Sequence, residues 1–127
     1  MPAPATNLSR PRVLIVDDEP AVRQVTRLML EWSGYSIVEA TTAAEALECV
    51  RSTERRFVVI LLDVSLPDRT GPELLPELRV LAPRSTIVLT SGRPLDDDES
   101  ADGYLPKPFT REQLVGAIRA VTALTPA

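Results

Sequence analysis

Six apolar residues and an aspartate, Phe57-Val58-Val59-Ile60-Leu61-Leu62-Asp63, stand near the middle of this 127-residue chain. A run that is apolar at every position is a strand covered on both faces, and such strands belong to parallel sheets flanked by helices. The run stops on a carboxylate. The same construction occurs upstream, where Val13-Leu14-Ile15-Val16 stops at Asp17-Asp18. Tyr35 to Ala40 reads as a second, weaker strand. Ile87 to Thr90 is a fourth, ending at Ser91-Gly92, and Gly103 to Leu105 a fifth, followed by Lys107-Pro108.

Helical patterns fill the intervals. Pro20 suits a first helical turn, and Val22, Val25, Leu28, Met29 and Trp32 recur at helical spacing as a core face before Gly34 supplies the stop. Thr42 with Glu45, and Thr110 with Gln113, have capping-box spacing. The helix after Thr42 carries Ala43, Ala46, Leu47 and Val50, and the last helix carries Leu114, Val115, Ile118 and Val121. Between them a turn from Leu66 to Gly71 opens a helix with Leu74, Leu75, Leu78 and Leu81 inward. Pro76 removes a backbone donor there and predicts a short or bent helix. The order predicts one α/β domain, a five-stranded parallel sheet with helices on both faces. Residues 1–11 read as a mobile tail, 12–124 as the domain and 125–127 as a short C-terminal tail.

Composition narrows the function. With 44% hydrophobic and 25% charged residues the chain is of globular type. It has no histidine, which excludes a Ser-His-Asp or Cys-His nucleophile, imidazole-ligated zinc and a phosphohistidine of its own. Cys49 is alone, so no internal disulfide points to secretion. A net charge of -4 disfavours nucleic acid as a direct partner. No apolar run approaches the ~20 residues of a membrane span. The expectation is a small cytoplasmic domain without membrane insertion.

In open parallel sheets, ligands bind beyond the carboxyl ends of the strands, near the point where strand order reverses. That edge collects Asp17, Asp18, Asp63, Ser91 and Lys107. Three gathered carboxylates repel one another, and a cation relieves them. Hard oxygen ligands suit Mg²⁺, which also accepts a phosphate oxygen. A lysine and a hydroxyl can hold further phosphoryl oxygens, and a carboxylate can attack phosphorus to give an acyl phosphate. The pattern points to phosphoryl transfer onto an aspartate. Taken singly the residues have plainer readings. Asp17-Asp18 would cap a helix, Asp63 and Lys107 would form a structural ion pair, Ser91 would be a turn residue, and Asp96 to Glu99 a solvated loop.

Four runs carry a resemblance: Val13-Leu14-Ile15-Val16-Asp17-Asp18-Glu19, Leu61-Leu62-Asp63-Val64-Ser65-Leu66-Pro67, Leu89-Thr90-Ser91-Gly92 and Tyr104-Leu105-Pro106-Lys107-Pro108-Phe109. In this order, from about Val13 to about Val121, the chain resembles the receiver domains of bacterial two-component response regulators. The resemblance implies a flavodoxin-like sheet in the order 2-1-3-4-5 and a cis Lys107-Pro108 bond. It implies that Asp63 takes a phosphoryl group from a histidine kinase or phosphotransfer protein. Mg²⁺ would be held by Asp18, Asp63 and the backbone carbonyl of Ser65, with Asp17 acting through water. Lys107 would bind phosphate, and Tyr104 would be an aromatic switch. Either Thr90 or Ser91 offers the switch hydroxyl. Alternation lets only one face the site, and the small Gly92 after Ser91 selects Ser91.

The chain departs from the pattern in one place. A parallel crossover needs about a dozen residues or more, usually a helix, and Gly92 to Asp102 falls just short. That stretch has Leu95 as almost its only large apolar side chain, so the fourth helix is predicted missing or cut to about one turn. The family's usual output face, built on that helix, the fifth strand and the last helix, is then altered. No output domain fits after Val121, so output passes through an unidentified downstream protein, or the chain is the receiver of a hybrid kinase or larger regulator. The domain is expected to promote its own phosphorylation and dephosphorylation without being a turnover enzyme. Two rivals remain: a phosphorylation-independent pseudo-receiver that docks proteins, and an aspartyl phosphatase. The phosphatase would need a second carboxylate where Ser65 stands.

Overall fold

A computed structural model of the chain describes residues 10–52, 56–93 and 101–123. Five strands and four helices alternate: β1 (Arg12–Val16), α1 (Pro20–Trp32), β2 (Ser36–Ala40), α2 (Ala43–Ser52), β3 (Val59–Asp63), α3 (Gly71–Leu81), β4 (Thr86–Ser91), β5 (Gly103–Pro106) and α4 (Arg111–Ala123). All strand pairs are parallel, in the order β2-β1-β3-β4-β5. This is the expected doubly wound α/β fold. The second and fifth strands form its edges, and the order reverses between β1 and β3.

Strand alternation divides the core. Leu14, Val16, Ile60, Leu62, Ile87 and Leu89 point to one face, where they pack with Leu74, Leu75 and Leu78 of α3 and Ala43, Ala46 and Leu47 of α2. Val13, Ile15, Val59, Leu61, Val88 and Leu105 point to the other, against Leu30 of α1 and Leu114 and Ile118 of α4. Every residue of β3 is buried. Central strands buried on both faces hold the two apolar clusters together, at about 25 cal/mol per Å² of apolar surface removed from water.

Local chemistry ends the helices. Gly34 takes φ +96, a conformation open to glycine at little cost. Its amide donates to Glu31 O at 3.1 Å while the Tyr35 amide donates to Leu30 O at 3.0 Å, the paired bonds of a Schellman stop. Thr110 Oγ1 accepts the Gln113 amide and Gln113 Oε1 accepts the Thr110 amide, closing the expected box on α4. At α2, Thr42 Oγ1 accepts the Glu45 amide, but Glu45 turns back to Thr41 instead of Thr42. Thr70 and Glu73 form a further box, on α3.

Three expectations change. The α1 face of Val25, Leu28 and Trp32 is not core: these residues are 50%, 51% and 82% exposed, and the helix instead buries Thr26 and Leu30. Two apolar stripes run along this helix, and the one under Leu30 meets the sheet. Helix α3 is not cut short: it continues past Pro76 to 11 residues, with Leu74, Leu75 and Leu78 buried. Leu81, at its end, is 39% exposed rather than inward.

Apart from Arg10 and Pro11, the predicted tails 1–11 and 125–127 lie outside the described residues. So do residues 94–100 of the crossover predicted to lack a helix; four helices are present among the described residues. The crossover rejoins the sheet at Asp102, whose Oδ2 accepts the Ile87 amide at 2.7 Å and pairs with Arg79 at 2.8 Å.

Candidate functional site

The carboxyl ends of β1 and β3 lie side by side, with Val16 paired to Leu62. One residue further along each strand stand Asp17 and Asp63, both only 4% exposed, and Asp18 follows at the surface. Carboxylate oxygens of these three residues all lie within 4.8 Å of one another. Opposite ligands of a Mg²⁺ octahedron are about 4.2 Å apart. The set is therefore nearly closed enough for one hard cation, and all its donors are oxygens. The residues present fit Mg²⁺.

Each acid is held by its own loop. Asp17 Oδ1 accepts the Glu19 amide at 2.9 Å, and Arg23 Nη1 donates to the Asp17 carbonyl at 2.9 Å while Arg23 Nε pairs with Glu39. Asp63 Oδ1 accepts the Ser65 amide at 3.1 Å. Gly71 packs against the Asp63 main chain so closely that a Cβ would sit 2.6 Å from the Asp63 carbonyl oxygen.

Lys107 reaches this cluster from the end of β5. Its Nζ lies 2.8 Å from Asp17 Oδ2, 3.4 Å from Asp63 Oδ2 and 3.6 Å from Glu19 Oε1. Its amide donates to the Ser91 carbonyl at 2.8 Å, and the Lys107–Pro108 peptide is cis. Burial opposes its charge, but the hydrogen bond to Asp17 and the charges of Asp17, Asp63 and Glu19 outweigh burial and raise its pKa. Burial also raises the pKa of Asp63, against the pull of the Ser65 amide and the lysine charge.

The strand register corrects one residue. Leu61 pairs with Val88 and Val88 with Gly103, all on the α1/α4 face, and two residues on, Asp63 pairs with Thr90 and Thr90 with Leu105. Paired residues in a parallel ladder share a face, so Thr90 and not Ser91 stands on the face of Asp63. The Ser91 hydroxyl accepts the Arg93 amide at 3.0 Å instead. Tyr104 pairs with Leu89 on the opposite face and is 36% exposed. Ser65 is exposed at the rim, beyond Asp63. The structure thus gathers Asp17, Asp18, Asp63 and Lys107, adds Arg23, Glu19 and Thr90, and leaves the Ser91 side chain turned away. Arg23 was readable only as one more charge on a helix, because its partner carbonyl belongs to the preceding loop.

A groove of about 580 Å³ adjoins the site, between Val22, Val25 and Met29 of α1 and Lys107, Pro108 and Phe109. Among the described residues no helix is long and apolar enough to cross a membrane.

Comparison with known proteins gives a consistent result. The family model "Response regulator receiver domain" matches residues 13–119. The response regulator MprA of Mycobacterium leprae is 39% identical over 123 residues, 90% of this chain and 52% of that protein. The chain spans about half the length of the curated relatives it matches. A receiver domain protein from Methanospirillum hungatei superposes with a TM-score of 0.81 at 31% identity, covering 91% of this chain and 96% of that one. The response regulator TrrA of Thermotoga maritima, solved with Mg(2+)-BeF, gives a TM-score of 0.80 at 29% identity, covering 87% and 98%.

Proposed function

The chain belongs to the response regulator receiver domain family, and on that premise we propose that it is a signalling switch driven by phosphorylation of Asp63. The observation that carries this reading is the position of Lys107 Nζ between Asp17 and Asp63, beside three carboxylates that fit a cation. The chain has no histidine, so the phosphoryl group comes from the phosphohistidine of a kinase or phosphotransfer protein. A carboxylate oxygen of Asp63 attacks phosphorus, the P–N bond breaks, and the imidazole departs with the bonding pair. Asp18, Asp63 and the Ser65 carbonyl would hold Mg²⁺, with Asp17 through water. When bound, the cation neutralises the acidic cluster and the incoming phosphoryl oxygens.

The chain's own groups do the rest. Lys107 exchanges part of its contact with Asp17 for a phosphoryl oxygen, a charge-assisted bond already aimed at the right carboxylate. Thr90 is the hydroxyl on the face of Asp63, and its movement toward the new phosphoryl group displaces the end of β4. Tyr104, paired across from Leu89, is placed to register that displacement. The donor approaches along the groove that Lys107 shares with α1, where Val25 is half exposed. The domain is a stoichiometric switch that works in the cytoplasm and signals by protein contacts.

The test is incubation with Mg²⁺ and acetyl phosphate, comparing the wild type with Asp63→Asn. The wild type should gain a hydroxylamine-labile phosphate and the variant none. Equal labelling would place the phosphate on another residue and overturn the Asp63 reading, and no label in either protein would support a phosphorylation-independent docking module instead.

A further inference from the structure

Asp68 lies outside the acidic cluster, yet its carboxylate reaches across to another element. Its Oδ1 accepts the Ala43 amide at 2.9 Å and its Oδ2 the Ala44 amide at 3.0 Å. These are the first amides of α2, which no carbonyl of that helix can satisfy. The bonds to Ala43 and Ala44 hold Asp68 below the usual carboxylate range, and its charge meets the positive end of the helix.

The bond fixes the tip of the loop that follows Asp63. The base of that loop is fixed separately. The Gly71 amide donates to the Val64 carbonyl at 2.8 Å, and Ser65 and Thr70 form an antiparallel bridge. Ser65 belongs to the base itself, with its amide already on Asp63, and its chain runs on from there to the tip at Asp68. A loop tied at base and tip has its peptide planes set; a loop tied at the base alone does not.

We propose that Asp68 is a positioning residue for the site, fastening the β3–α3 loop to α2 so that the Ser65 main chain is set for the cation and the phosphoryl group. This rests on the Mg²⁺ reading above. The structure supplies its own control. Thr42 Oγ1 accepts the Glu45 amide at 3.0 Å, capping the same end of α2 without touching the loop. Asp68→Ala and Thr42→Ala each strip a cap from one helix, but only the first releases Ser65.

The experiment is Mg²⁺ titration by calorimetry of the wild type, Asp68→Ala, Asp68→Asn, Thr42→Ala and Asp18→Asn, with the amide resonance of Ser65 followed by NMR before metal is added. Loss of a partner that orients a ligand costs metal affinity roughly tenfold or more, which is the effect expected of Asp68→Ala, together with a displaced Ser65 resonance. Asp68→Asn, keeping one acceptor oxygen, should recover part of both. Thr42→Ala should lower the melting temperature and leave the affinity unchanged. A folded Asp68→Ala protein with wild-type affinity overturns the proposal, as does an equal loss in Thr42→Ala. A wild type that binds no Mg²⁺, or an Asp18→Asn protein that binds as tightly, overturns the cation reading instead. The Ser65 resonance then decides alone whether Asp68 sets the loop.

Discussion

Replacing Lys107 by methionine keeps the length of the side chain and removes its charge from beside two buried carboxylates. The side chain of Lys107 is 12% exposed, those of Asp17 and Asp63 5% and 6%, at 2.8 and 3.4 Å from the ammonium. At an effective dielectric of about 20, each such contact is a gross attraction of about 5 kcal/mol, much of it offset by the desolvation of all three groups. Removing one member of a buried pair costs about 3–5 kcal/mol, because the charges left behind stay buried. Against a total stability of about 5–15 kcal/mol, that is a large fraction, and at about 4 °C per kcal/mol it lowers Tm by about 12–20 °C. The pH dependence has a definite sign. Without Lys107 the Asp63 carboxylate, already raised by burial, loses a charge that lowers its pKa and rises further above its unfolded value. Groups raised on folding favour the fold while protonated, below the unfolded pKa, and that benefit is lost as pH rises through the folded pKa. The deficit should therefore be full at neutral pH and shrink on acidification. Urea unfolding of both proteins at pH 7 and near the ordinary carboxylate pKa of about 4 measures it, and Mg²⁺ should restore part of the loss at neutral pH. A loss below about 1 kcal/mol, the size of a surface ion pair, or one of equal size at both pH values, refutes the reasoning.

Thr90→Ala should still accept phosphate from acetyl phosphate yet lose the conformational response, read as phosphorylation-dependent NMR shifts at Tyr104. Ser91→Ala should retain it; the reverse pattern restores Ser91 as the switch. Gly71→Ala places a methyl group 2.6 Å from the Asp63 carbonyl oxygen, so it should cost about 1–3 kcal/mol and slow phosphate uptake. An unchanged melting curve would show that α3 moves aside freely.

The order of elements was legible because β1, β3 and the middle of β4 are unbroken apolar runs that stop at polar residues, and a parallel sheet carries every such end to one edge. Phe57 to Asp63 alone located the central strand and the buried carboxylate at its end. The α1 face was not legible. Val25, Leu28 and Trp32 have the same period as a buried stripe, and periodicity does not say which of two stripes meets the sheet. Adjacent hydroxyls at Thr90 and Ser91 posed a question of parity, answered by pairing with Asp63, which a single strand does not contain. Asp68 read as a turn residue because the amides it serves lie 25 and 24 positions away. Contacts of that separation leave no spacing signal.

The order of the sheet makes β2 and β5 its two rims. β5 is four residues long and ends in Pro106, which has no amide to offer a neighbour. Along β2, Glu39 is tied to Arg23 and Arg27, so that rim carries fixed charge of both signs. A short proline-ended strand on one side and a charged one on the other are poor templates for a further strand. Raising the concentration of such a domain favours separate copies over a growing sheet.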